Sequence, residues 1–137
     1  MSRLLAIDYG AKRTGLAVTD PLQIIATALD TVRTHELLDF LKKYSLNESI
    51  EAFIVGMPRK LDNTNSDNAP RVVAFLKILK RNFPEIPIHT HDERFTSSMA
   101  LQTMISGGYK KSDRREKGNI DKISATIILQ SYMESRR

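Results

Sequence analysis

The first third of the chain alternates between short apolar runs and polar turns, a pattern typical of β-strands. The apolar runs cover residues 3–8, 14–20 and 22–32, and only a few residues connect each run to the next. Because short connections join neighbouring strands in opposite directions, these runs predict three antiparallel strands at the start of the fold.

From Thr34 onward, apolar residues recur at helical spacing, interrupted by two short apolar runs that predict buried strands. The expected elements are a helix capped by Thr34, a strand over 52–56, a helix from Pro70 to Phe83, a strand over 86–91, a helix capped by Thr96 or Ser97, and a last helix over about 119–135. Antiparallel strands followed by crossover units predict an α/β fold in which helices cover a mixed sheet.

The chain is expected to form a single domain over residues 1–137, because no repeat, low-complexity tract or linker divides it. It contains no cysteine, which excludes a disulfide scaffold, a thiolate metal site and a cysteine nucleophile. The apolar run near the N-terminus is too short for a signal peptide or a membrane span. We therefore expect a cytoplasmic protein that does not engage a membrane.

The chain carries 21 basic and 16 acidic residues, a formal net charge of +5, which favours a polyanionic partner such as nucleic acid. Part of the excess lies in Lys12 and Arg13, directly after the first predicted strand. A second segment, before the last helix, offers cations for phosphates and an aromatic ring on which a base can stack, from Tyr109, Lys110, Lys111, Arg114, Arg115 and Lys117. A solvated hairpin and a solvated loop would account for the same charges without any ligand.

Three carboxylates stand at the ends of predicted elements, where ligand sites of such sheets gather. Asp8 ends the first strand, Glu93 follows the last strand, and Asp121 lies near the start of the last helix. Oxygen ligands of this kind suit Mg²⁺ or Mn²⁺, and two such ions would activate water for phosphodiester cleavage. A turn aspartate at position 8 and a charge favoured by the helix dipole at position 121 are the alternatives.

Other polar residues near the last strand and helix are ambiguous. His89 and His91 alternate on one predicted strand and could bind zinc, although two histidines at this spacing more often decorate a sheet face. Arg94, beside Glu93, suits either an ion pair or a phosphate contact. The last helix carries one stripe that predicts packing on the sheet, formed by Asp121, Ala125, Ile128 and Tyr132.

Four ordered segments resemble the motifs of the YqgF (RuvX) family, within the ribonuclease H-like superfamily. They are LAIDYGAKRTGLAVTDP, VGMPRKLDNTNSDNAP, HDERFTSSMA and DKISATIILQSYME, and they extend from Leu4 to about Tyr132. The resemblance implies a five-stranded mixed sheet and the carboxylates Asp8, Glu93 and Asp121. It also implies a nuclease that matures the 5′ end of pre-16S ribosomal RNA, or a Holliday junction resolvase acting on branched DNA. The fourth carboxylate that related RuvC-type resolvases carry on the last helix has no obvious equivalent here, which leaves the metal count open.

The sequence therefore predicts a metal-dependent endonuclease that uses Mg²⁺ or Mn²⁺ and acts on a ribosomal RNA precursor or branched DNA, as a monomer or homodimer, with ribosomal particles as a further partner. Two other function classes compete with this interpretation. One is a nucleic-acid-binding module without activity. The other is an ATPase, because DYGAKRTG also resembles the first phosphate loop of the actin and sugar-kinase superfamily, but the chain is too short for two lobes and lacks a second glycine-rich loop.

Overall fold

A computed structural model describes residues 2–58, 68–92 and 117–136 of the chain, with side chains in the last range described from residue 122 onward. Within these ranges the chain forms strands β1 (Arg3–Asp8), β2 (Arg13–Thr19) and β3 (Ala26–Arg33), then a short 3-10 helix (Thr34–Glu36) and helix α1 (Leu37–Asn47). Strand β4 (Ile50–Met57), helix α2 (Ala69–Asn82), strand β5 (Ile88–Asp92) and helix α3 (Lys117–Ser135) follow.

The five strands form one sheet in the order β3-β2-β1-β4-β5. The pairs β1–β2 and β2–β3 are antiparallel, whereas β1–β4 and β4–β5 are parallel. The predicted α/β fold with a five-stranded mixed sheet is therefore confirmed. The three parallel strands end at one edge of the sheet, and β1 lies at its centre.

Two hydrophobic cores lie on opposite faces of the sheet, and β1 contributes to both because its side chains alternate. Leu5 and Ile7 pack with α1 and α2 on one face, and Leu4 and Ala6 pack with α3 on the other. Small side chains from three strands lie in the second core and allow close approach of α3, namely Ala6, Ala17 and Ala52. The predicted stripe of α3 is buried there as expected, through Ala125, Ile128 and Tyr132.

No helix in the part of the chain that the structure describes is long and apolar enough to cross a bilayer. The predicted helix capped by Thr96 or Ser97 lies outside the described residues.

The third strand is shorter than the apolar run 22–32 predicts, because the carboxylate of Asp20 organises the residues before it into a loop. This carboxylate accepts hydrogen bonds from the backbone N–H groups of Leu22, Ile24 and Ile25, at 3.1, 2.8 and 2.7 Å. Those three side chains are exposed, and β3 starts only at Ala26. Local bonding between an aspartate and its own backbone thus competes successfully with strand pairing.

The predicted helix cap at Thr34 is wrong. Thr34 lies in the 3-10 helix, where no side-chain cap forms, and α1 begins only at Leu37. The Thr34 hydroxyl donates instead to the carbonyl of Gly10 at 2.6 Å and lies 2.9 Å from the hydroxyl of Thr14. The backbone N–H of Thr34 also donates to the Lys12 carbonyl at 3.0 Å. Thr34 therefore fastens the turn between β1 and β2 to the end of β3.

The hydrogen bonds to Asp20 make the stability of the protein depend on pH. The backbone N–H of Ile25 above all, with those of Ile24 and Leu22, lowers the pKa of Asp20 below its ordinary value. Because the folded-state pKa is the lower one, this contribution is complete above the unfolded pKa, near 4, and is lost as pH falls through the folded pKa. We expect Asp20→Ala to lower the melting temperature at neutral pH, and the difference from the wild type to shrink towards acid pH. At neutral pH the melting temperature of Asp20→Asn, which keeps one acceptor oxygen, should lie between those of the wild type and Asp20→Ala. A difference between wild type and Asp20→Ala that stays the same at all pH values would contradict this account.

The role of Thr34 predicts that Thr34→Val destabilises the fold by about 1–2 kcal/mol, because the Gly10 carbonyl loses its donor and the buried Thr14 hydroxyl loses its partner. Urea denaturation measures this free energy of unfolding. Thr27→Val is a matched control, since Thr27 is an exposed residue of β3, the strand that directly precedes Thr34. Equal stability of the two variants would show that Thr34 does not anchor the turn.

Candidate functional site

Asp8 ends the central strand at the sheet edge where the parallel strands β4 and β5 also end. Its side chain is half-buried. Alternation along β1 directs it to the same face as Leu4 and Ala6, the face that α3 covers. A carboxylate at such a position retains access to solvent while the core beneath it fixes its direction.

Glycines lie beside Asp8 on both neighbouring strands. Gly15 of β2 is the register partner of Asp8. On β4, Val55 is the register partner of Ile7, so the next residue, Gly56, lies beside Asp8. Both glycines are buried. Because glycine has no side chain, no Cβ lies beside Asp8 on either neighbouring strand, and these two positions are called the slots.

The same row of the sheet continues to β5, where His91 is the register partner of Gly56. One ring nitrogen of His91 lies 2.8 Å from the Ser131 hydroxyl, and its ring stands edge-on to Tyr132. Burial lowers the pKa of His91, and the neighbouring Asp92 carboxylate opposes that shift. His89 stacks on Tyr132 with 5.8 Å between ring centroids.

Both histidines thus pack against α3. Among the residues that the structure describes, no three histidine, aspartate or glutamate side chains cluster closely enough to hold a metal. Zinc binding by His89 and His91 therefore gains no support from these residues, and the packing role that their alternation indicated accounts for both.

The turn after Asp8 is tightly held. A Cβ on Gly10 would collide with the backbone carbonyl of Arg13, so this position requires glycine. The preceding residue, Tyr9, stacks on Phe75 of α2 with 4.5 Å between ring centroids, and its carbonyl accepts a hydrogen bond from the Asn68 amide at 2.7 Å. With the bonds from Thr34, these contacts fasten the turn to both β3 and α2.

Cations lie at the same edge, around this turn. Lys12 is exposed and Arg13 is half-buried. Both line an open groove with Arg33 and His35, which belong to the end of β3 and the 3-10 helix. Lys12 and Arg13 are predicted from the sequence to contact phosphates, whereas Arg33 and His35 are not. The missing signal was the pairing of β2 with β3, which makes Arg33 the register partner of Arg13.

The side chains of the remaining predicted site residues lie outside the part of the chain that the structure describes. Glu93, the aromatic Tyr109 and the basic residues Arg94, Lys110, Lys111, Arg114 and Arg115 belong to this group. Lys117 and Asp121 belong to α3, but their side chains are outside the described set. Of the three predicted carboxylates, the structure thus describes the surroundings of Asp8 alone.

Comparisons with known proteins agree on one family. The family description "RuvX: Holliday junction resolvase" matches residues 2–135. A protein of Phocaeicola vulgatus is 56% identical over 137 residues, covering 100% of this chain and 99% of the relative, and one of Bacteroides fragilis is 53% identical with the same coverage. Both relatives bear the name "Putative pre-16S rRNA nuclease".

Among solved structures, Thermus thermophilus RuvC in complex with a Holliday junction substrate matches with a TM-score of 0.59 at 18% identity, covering 99% of this chain and 96% of that one. At this identity the likeness concerns the fold, which is ribonuclease H-like. The match over nearly the whole chain and the high identity to the two relatives show that this protein belongs to the RuvX family.

Proposed function

We propose that this chain is a metal-dependent endonuclease that hydrolyses phosphodiester bonds in nucleic acid, with Asp8, Glu93 and Asp121 as its catalytic carboxylates. The observation that carries the proposal is the half-buried Asp8 at the end of the central strand, with glycines beside it on both neighbouring strands. A purely structural turn aspartate would not require glycine on both sides. Membership of the RuvX family and the nuclease names of close relatives support the same activity.

The fold supports convergence of the other two carboxylates on Asp8. β5 ends with Asp92 at the edge of the sheet where β1 also ends, and Glu93 is the next residue of the sequence. Met133 and Arg136, at the end of α3, line a pocket with Leu4 at the start of β1. The first turns of α3 therefore run towards the Asp8 end. The helix extends about 18 Å from Met133 back to Asp121, and the strand extends about 13 Å from Leu4 to Asp8. The longer helix segment can span the same distance if α3 crosses β1 obliquely.

The residues fit a divalent ion with oxygen ligands. Asp8, Glu93 and Asp121 would supply carboxylate oxygens, which are the ligands that Mg²⁺ and Mn²⁺ prefer. When bound, such an ion lowers the pKa of a bound water and stabilises the charge on the leaving oxygen. The protein's own part is to hold the carboxylates on a rigid strand and helix, and to hold substrate phosphates with cations such as Lys12 and Arg13.

The substrate we favour is the 5′ end region of precursor 16S ribosomal RNA, which the names of the relatives support. Action on this RNA would take place in the cytoplasm, with ribosomal particles as the natural partner. A second candidate is a branched DNA junction, favoured by the family description and by the fold of RuvC. Junction resolution would call for a two-fold dimer, whereas trimming of an RNA end suits a monomer.

Replacing Asp8 tests the catalytic role. We expect Asp8→Asn to reduce cleavage at least about 100-fold, because the amide keeps the shape but loses the charge that holds the ion. Nucleic-acid binding should be retained or tightened, since a negative charge near a polyanion is removed. Cleavage is measured on precursor 16S RNA and on a four-way junction, with Mg²⁺ and with Mn²⁺.

Asp39→Asn is the control for that experiment, because Asp39 is an exposed aspartate on α1, across the sheet from the Asp8 carboxylate. It should cleave like the wild type. Wild-type cleavage by Asp8→Asn would refute the catalytic assignment, and metal-independent cleavage would refute the metal dependence. Binding with steep salt dependence but no product on either substrate would favour the non-catalytic module.

The slot beside Asp8 predicts a separate effect. Gly56→Ala should lower kcat/KM by about tenfold or more, equivalent to about 1.4 kcal/mol, because the added methyl group lies in the row between Asp8 and His91. The melting temperature is measured in parallel to separate this effect from unfolding. Full activity of a folded Gly56→Ala protein would show that the open space has no role in catalysis.

A further inference from the structure

The groove around the β1–β2 turn concentrates positive charge from two separate segments. Lys12 and Arg13 come from the turn and the start of β2, and Arg33 and His35 come from the end of β3 and the 3-10 helix. Two carboxylates, Glu36 and Asp30, lie close in sequence to Arg33 and His35. Glu36 lies 3.7 Å from the His35 ring with both side chains largely exposed, and Asp30 accepts the backbone N–H of Thr31. The arginines and the lysine dominate the charge of the groove.

Arg13 and Arg33 are direct register partners across an antiparallel pair. Like charges in this position repel each other and weaken the strand pair. Because Gly15 is the partner of Asp8 and lies two residues from Arg13, alternation directs both arginine side chains to the face on which Asp8 lies. Both arginines thus lie on the face of the proposed active site, where an anionic ligand can contact them.

The spacing of the groove from Asp8 fits a nucleic-acid strand. Arg33 lies two strands away from Asp8 and two residues further along, which places their Cα atoms about 12 Å apart. Each strand of a duplex carries a phosphate for about every 3.4 Å of helix axis, so this separation covers at most about three phosphates of one strand. A strand whose scissile phosphate is at Asp8 would therefore bring a neighbouring phosphate over Arg13 and Arg33.

We propose that Arg33 and His35, together with Lys12 and Arg13, bind the backbone phosphates of the substrate strand a few nucleotides from the bond that is cleaved. This inference rests on the proposed nuclease function and adds the path of the substrate strand, which runs from Asp8 across β2 to the end of β3. The contacts are to phosphates, so they position the strand and carry no sequence preference. Thr34 lies between Arg33 and His35 in the sequence, and its hydrogen bond to the Gly10 carbonyl fastens this segment to the β1–β2 turn.

Binding of a labelled single-stranded RNA and a labelled DNA duplex, measured by fluorescence anisotropy over a series of salt concentrations, tests the proposal. Each lost phosphate contact should reduce the slope of log K against log salt by about 0.7 for the single strand and about 0.9 for the duplex. We expect this reduction in Arg33→Gln, and a larger one in Arg33→Gln combined with Lys12→Gln. Arg33→Lys, which keeps the charge, should restore most of the slope.

Arg81→Gln is the matched control, because Arg81 is exposed in the last turn of α2, far from the Asn68 end that contacts the turn. It should keep the wild-type slope and affinity. Equal slopes for the wild type, Arg33→Gln and the double variant would refute phosphate binding in the groove, even if Asp8→Asn still abolishes cleavage. Conversely, a reduced slope in a protein that cleaves neither substrate would support phosphate binding while refuting the nuclease.

Discussion

The register of β1 between β2 and β4 is the constraint on which the site depends. Leu5 and Ile7 are fully buried in the core with α1 and α2, and Leu4 and Ala6 are buried beneath α3. A slip of one residue would exchange the two sets and direct Asp8 to the opposite face. The burial of hydrophobic side chains on both faces thus fixes the direction of Asp8 at the end of the strand, and the same register brings Gly15 and Gly56 beside it.

The turn that follows Asp8 shows how a short connection is made rigid enough to serve a site. Gly10 allows the chain to pass close to the Arg13 carbonyl, and the carbonyls of Tyr9 and Gly10 are held by Asn68 and Thr34. These contacts come from three parts of the chain. They hold Lys12 and Arg13 at a constant distance from the carboxylate, which phosphate positioning requires.

Local patterns were enough to predict the strands, the mixed sheet and the position of Asp8 at the end of the first strand, because alternation and helical spacing are properties of neighbouring residues. They failed where a side chain forms a hydrogen bond with a residue far away in the sequence, or where it binds nearby backbone groups in competition with strand pairing. Thr34 looked like a helix cap because its partner, Gly10, lies 24 positions earlier, and the apolar run 22–32 looked like one strand because the bonds to Asp20 were not anticipated. Likewise, the flanking glycines and the pairing of Arg13 with Arg33 become visible only once the strand register is known.

The central claim is that an ion binds beside Asp8 in the slot between Gly15 and Gly56, and paramagnetic broadening by Mn²⁺ tests it most directly. Amide resonances of the isotopically labelled protein are recorded during a titration with Mn²⁺, with Mg²⁺ as the diamagnetic reference. The account predicts selective broadening of the amides of Asp8, Gly15 and Gly56, and none at the exposed loop of Ile24 and Ile25 at the opposite end of the sheet. Broadening centred on that loop, or uniform broadening along the chain, would contradict it.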